Sequence, residues 1–253
     1  MAPDIRDDRK QQIKYAVDRL PAGDRIVRSV GLEAIGQRDI GARVPAGLPH
    51  DADHHVMSVL QFIAAYVIDS GARILAGQTF AYGWTMLRFN DSRPSILEIE
   101  EDTDPLSPDH PAHWAPGVQR AIALRLAGEA VMRRNRLAGQ ADYPNRGHFA
   151  LACVHVTDDS TGRLVAERGP IDRSTSPWGS GWQLHCGGGD HPVDQWHRHH
   201  LAHLVHPRPF VIPYLCMPEG SMVAFEEHRA IVWAPGSNSG APDPEDPHVW
   251  RLA

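Results

Sequence analysis

Three stretches decide the fold: GHFALACVHV at 147–156, SGWQLHCGGGD at 180–190, and HLVHPRPFVIPYLCMPEGSMVAFEEHRAIVW at 203–233. The first two are apolar runs of strand length closed by turn formers. Asp158-Asp159-Ser160-Thr161-Gly162 follows the first and a glycine run with an acid follows the second. The third holds two more short runs joined through His228. This reading predicts strands at 148–156, 163–168, 180–186, 222–226 and 229–233, with a helix near 194–205.

Toward the N-terminus the periods alternate. Ile13, Val17 and Leu20 predict a polar helix over residues 1–20. Strands follow at Arg25 to Val30 and Asp39 to Val44. Asp53 to Ser70 places Val56, Leu60, Ile63 and Val67 on one helical face, with Asp53 as N-cap. TFAYGWTMLRF (79–89) and Ile96 to Ile99 predict a hairpin, and Gly117 to Leu137 a long helix with an arginine-rich outer face. Gly139 to Asn145 reads as a linker. The fold class is α+β in two modules, each a mostly antiparallel sheet packed with one or two helices. The modules span 1–143 and 147–235, and 236–253 is a Pro-rich acidic tail expected to be extended and mobile.

Composition narrows the function classes. No run approaches the ~20 apolar residues of a membrane span, and the charged start MAPDIRDDRKQQ has no apolar signal region. The expected location is the cytoplasm. Cys153, Cys186 and Cys216 are an odd set without CxxC spacing, which predicts buried free thiols. A net charge of −6 argues against direct nucleic-acid binding.

The order of the elements after residue 147 resembles a family of bacterial polymorphic-toxin systems, the immunity-protein thirty-three family. Its carriers are ALACVHV at the first strand, GWQLHCG at a strand end, Val211-Ile212-Pro213-Tyr214-Leu215, and Pro218-Glu219-Gly220-Ser221. The resemblance spans about residues 147–233 and implies a role rather than a chemistry: a protein, not an enzyme, that neutralises a cognate toxin in interbacterial competition.

Candidate chemistry concentrates in four places. Trp196 to His206 carries five histidines. On a helix His199 and His203, or His200 and His203, share a face and could hold a metal, the basis of an alternative metal-dependent hydrolase using His197 to His206. The segment lacks HExxH and a second ligand pair, so no cofactor or tight metal is expected. His50 to His55 is a second cluster, for which the N-cap role of Asp53 suffices. Cys153 and Cys186, with His155 and His185 nearby, read as core thiols rather than nucleophiles, because adjacent strand residues face opposite ways. Between Asp91 and Asp109, seven acids face one base, Arg93. Read as a loop, this segment presents Glu98, Glu100, Glu101, Asp102 and Asp104 to the toxin, with Trp114 and Trp178 as aromatic anchors.

Overall fold

The computed structural model describes residues 12–49, 51–105, 112–157, 163–172, 174–189, 191–245 and 247. His50, Asp109, the 158–162 turn and Asp190, all invoked above, lie outside the described residues, as do 1–11 and most of the chain after Glu245. The contacts divide into two compact units that change over between Ile122 and Ala123.

The first unit is a seven-stranded sheet in the order β1-β2-β3-β6-β5-β4, with β7 added on β6. The strands are β1 (Lys14–Arg19), β2 (Arg25–Val30), β3 (Asp39–Val44), β4 (Thr79–Tyr82), β5 (Thr85–Arg93), β6 (Ile96–Asp102) and β7 (Trp114–Pro116). Its pairs are antiparallel except β3 with β6. Helix α1 (Asp51–Ser70) lies in that crossover and buries Val56, Val59, Leu60, Ile63 and Val67 in one cluster with Val27, Ile40, Leu87, Phe89 and Ile99. Period-3.6 and period-2 apolar faces thus meet in one core, as each element alone could not be stable in water.

Three expectations for this unit change. Residues 14–19 are a strand, not a helix, because six residues pair in register with β2, and ladder formation overrides weak helical spacing. The run 79–89 breaks between Tyr82 and Thr85 into two strands, so 79–102 is a three-stranded meander. Asp53 sits inside α1, and its carboxylate accepts from Arg25 Nε at 3.0 and 3.2 Å instead of capping the helix.

The second unit is built on α2 (Gln119–Arg134) from Ala123 onward and a second seven-stranded sheet, order β11-β8-β10-β9-β12-β13-β14. Its strands are β8 (Phe149–Cys153), β9 (Leu164–Arg168), β10 (Gly179–His185), β11 (Trp196–His200), β12 (Met222–Phe225), β13 (Ala230–Trp233) and β14 (Ala241–Pro242). One helical turn, α3 (Val154–Thr157), ends the run that reads as a strand to Val156. β8 and β10 pair in parallel and the other neighbours antiparallel. Trp182, Leu184, Ala152, Val223 and Phe225 face a core closed by α4 (Leu201–Val205) and the 3-10 turn Pro209–Tyr214. The expected helix over 194–205 is instead β11 followed by the short α4. Five residues from Trp196 to His200 pair with β8, whose edge would otherwise be open.

Gly139 to Asn145, expected as a linker, sits within the second unit. Asp142 N donates to Cys216 O at 3.0 Å, and its carboxylate accepts from the buried Arg168 at 2.6 Å. The tail is likewise held over its described part. β14 adds to β13, and Asp243, with a fully buried carboxylate, accepts from Arg134 Nε (2.9 Å), Asn135 Nδ2 (3.1 Å) and the Tyr214 hydroxyl (3.3 Å). Burial, then the facing Asp243 carboxylate, raises the Tyr214 phenol above its ordinary range. Replacing Asp243 by alanine leaves the mostly buried Arg134 guanidinium to the exposed Glu245 carboxylate at 3.0 Å and removes the acceptor of Asn135 and Tyr214, an expected loss of about 3 kcal/mol in urea unfolding. A change within about 0.5 kcal/mol would show the tail to be incidental.

Candidate functional site

The acidic segment is not a loop. Glu98, Glu100, Glu101 and Asp102 lie in β6, and only Asp104 of the five expected contacts is exposed. Glu98 is 2% exposed and accepts from Arg43 Nε and Arg93 Nε, both at 3.2 Å, and from the Ser92 hydroxyl at 2.9 Å. Glu100 pairs with Arg88, its register partner on β5, and the same guanidinium stacks 4.7 Å from the Trp114 ring. Asp102 accepts from its neighbour Asp104 N at 3.1 Å. Counting charge within 91–109 misses the bases that the sheet brings from β3 and β5. Most of these carboxylates are spent inside the fold and cannot form the carboxylate-rich loop expected from the sequence.

Glu101 has its own structural task. Its two oxygens accept from the amides of Arg120 (2.9 Å) and Ala121 (3.0 Å) at the start of α2, where N–H groups have no helical partner. Burial raises its carboxyl above the usual range, opposed by these amide hydrogen bonds and by Arg120. Glu101→Ala should cost about 1–3 kcal/mol in thermal or urea unfolding, the range for losing a capping acceptor and leaving buried amides unmade. An unchanged stability would mean water replaces the carboxylate fully.

The histidine segment separates. In β11, side chains alternate, so His199 and His200 point to opposite faces; the His200 ring lies 5.7 Å from that of His203, but among the described residues no third donor joins that pair. His200 Nδ1 lies 3.1 Å from Gly147 O, and its ring stacks on Phe149 at 4.1 Å. His199 has a buried Nε2 without a hydrogen-bond partner among the described residues. Burial, then the neighbouring His197 and His203, lowers its basicity. The folded state keeps this imidazole neutral where the unfolded chain takes up a proton. Stability contributed by His199 is therefore present above about pH 6.5 and lost as pH falls through that window. His199→Gln should flatten the decline in melting temperature between about pH 7 and 5. An unchanged slope would assign the decline to other groups.

The face of the second sheet opposite its core carries an exposed apolar and basic surface. Phe149 and Leu151 of β8 project there with Arg198 of β11, whose guanidinium lies 4.0 Å over the Phe149 ring. Leu151 is 39% and Trp178 58% exposed. Trp178 meets His148 edge-on at 6.3 Å, and its carbonyl accepts from Phe149 N at 2.8 Å. A cleft of about 440 Å³ opens beside them, lined by Phe149, Leu151, Pro170, Ile171, Gln183 and Arg198. Gly181 shapes its floor: at φ +75° it brings its carbonyl to Gly169 N (2.9 Å), and a Cβ would stand 2.6 Å from Gly169 O. Of the two aromatic anchors expected from sequence, Trp178 is exposed and Trp114 lies under Arg88. The first unit offers a separate aromatic patch, with Phe62 (53% exposed) and Tyr66 (45%) edge-on to Phe80 at 6.0 and 5.2 Å.

Sequence reasoning missed one cluster. Cys153, His155, Cys186 and His191 bring one donor atom each to within 4.8 Å of one another. Cys186 Sγ stands 3.3 Å from His191 Nε2 and 3.8 Å from His155 Nδ1. The signal was present as Cys-x-His and Cys-x4-His at the ends of two strands. Their joint meaning depends on the parallel pairing of β8 and β10, which the sequence does not announce. Cys216, by contrast, is inert: burial pushes its thiol up to about 12. Among the described residues no helix is long and apolar enough to cross a membrane.

No curated protein and no solved structure matches the chain. A family does: residues 151–235, about a third of the chain, match the Imm33-like domain. The matched segment runs from the middle of β8 through β13 and contains Arg198 and the whole Cys-His cluster. The second unit thus carries an Imm33-like domain, and this domain points to a protein of the immunity type.

Proposed function

We propose that this protein is a cytoplasmic immunity protein that binds a cognate secreted bacterial toxin and neutralises it by occlusion, without chemistry of its own. The observation that carries the reading is the Imm33-like domain together with the open β8–β11 face that it builds. An exposed tryptophan, a leucine and an arginine stacked on phenylalanine, around a cleft, are the residue types that dominate binding energy when a partner removes them from water. The alternative, a metal-dependent hydrolase using His197 to His206, finds less support, because the His200 and His203 rings lie 5.7 Å apart but no third donor joins them among the described residues. The buried and paired carboxylates of β6 belong to the first unit's framework, and Asp104 is the exposed acid of the expected set.

The test is affinity for the secreted protein encoded beside this chain's gene, measured by calorimetry or surface capture. Trp178→Ala removes an exposed ring without opening the core. It should weaken binding by about 2 kcal/mol or more, roughly 30-fold, while leaving the melting temperature unchanged. Phe62→Ala on the first unit's aromatic patch should change affinity by less than about threefold. The opposite pattern would move the interface to the first unit. No binding and no protection of cells from the toxin would end the immunity reading.

A further inference from the structure

We propose that Cys153, His155, Cys186 and His191 form a structural zinc site that ties the ends of β8 and β10 together. Four soft or borderline donors of the two types zinc prefers converge here, two thiols and two imidazoles. Zinc bonds of about 2.3 Å to sulfur and about 2.0–2.1 Å to nitrogen place tetrahedral ligands roughly 3.5 Å apart. The Cys186 contacts of 3.3 and 3.8 Å bracket that spacing. Small side-chain adjustments bring the donors onto one ion.

The backbone supplies the convergence. Parallel register sets Leu184 beside Ala152, so the C-terminal ends of β8 and β10 emerge at the same end of the sheet. Cys153 closes β8, and the α3 turn then carries His155. Cys186 follows β10, and Gly187 (φ +68°) and Gly189 (φ +106°) take left-handed conformations in the loop that returns to His191. Gly188 runs so close that a Cβ would stand 3.2 Å from Cys186 Sγ.

The surroundings suit a ligand histidine. His191 Nδ1 lies 3.3 Å from Gln195 Oε1, which in the Nδ1–H tautomer accepts its proton and turns Nε2 toward the cysteines. Trp196 Nε1 donates to His191 O at 3.3 Å and its indole meets the His191 ring edge-on at 5.9 Å. On binding, each thiol releases one proton and the two thiolates balance the charge of Zn²⁺, so uptake strengthens with pH. Four protein ligands leave no open position, and the site therefore holds structure and does not activate water.

The experiment uses the full chain, reduced and stripped with chelator, titrated with zinc alone and then with cobalt(II). One equivalent of zinc should bind and raise the melting temperature, and cobalt should give tetrahedral bands with thiolate-to-cobalt charge transfer. Cys186 and His191 are half-buried, unlike the fully buried Cys153, so their variants are the ones expected to fold. Cys186→Ser and His191→Asn should each weaken zinc at least about 100-fold with circular dichroism unchanged, and Gln195→Leu about 10-fold. Zinc should also protect Cys186 from alkylation by iodoacetamide. Binding no tighter than that of Cys186→Ser would overturn the proposal. So would cobalt bands without sulfur character, or a Cys153–Cys186 disulfide in fresh protein with no zinc uptake after reduction. No toxin enters these measurements, so their outcome is independent of the immunity reading.

Discussion

Each sheet depends on one parallel pair in an otherwise antiparallel arrangement: β3 with β6, and β8 with β10. A parallel pair cannot be closed by a tight turn, so the chain must travel the length of the sheet between partners. In the first unit that return carries α1, the helix that fills the core. In the second it carries α3 and β9, and it delivers the ends of β8 and β10 to the same end of the sheet. Antiparallel pairing of β8 and β10 would put Cys153 and Cys186 at opposite ends, and the four-donor cluster could not exist.

Charge follows the same logic. The chain's acids are concentrated in sequence, but β6 is an inner strand, and an unpaired carboxylate there would cost several kcal/mol. Arg43 on β3 and Arg88 and Arg93 on β5 answer Glu98 and Glu100, while the amides of α2 answer Glu101. In the second unit Asp243 gathers Arg134, Asn135 and Tyr214, and Arg168 holds the carbonyls of Asp142 and Met217. These groups are framework. The surface proposed to meet a partner is instead the apolar and basic face around Trp178, Leu151 and Arg198, where burial of exposed apolar groups by a bound protein would bring a gain.

Separating framework from surface also divides the chemistry of the second unit. The Cys-His cluster lies at the ends of β8 and β10, whereas Phe149 and Gly179 pair near the strand beginnings beside Trp178. A closed metal site at one end would stiffen the strands whose other end forms the proposed interface. That division of labour suits the proposed inhibitor role, which benefits from a preorganised surface.

Five of the seven strands of the second unit, the helices at 51–70 and 119–134, and the order of motifs leading to the Imm33-like domain were legible from sequence. They rest on local apolar periodicity and on turn formers such as Gly187 to Gly189, which act within a few residues. Local signals misled where a distant partner outweighed them. Helical spacing at 13–20 gave way to pairing with β2, and the histidines of 196–200 became a strand because β8 needed an edge partner. Tertiary structure alone decided which carboxylates were neutralised, that the tail's Asp243 is buried, and that Cys153, His155, Cys186 and His191 share one place. The reason is common to all three: register and strand order set the neighbours of a side chain, at separations from 5 positions (Arg93 and Glu98) to 109 (Arg134 and Asp243), and nothing in the local pattern of a strand names its partner.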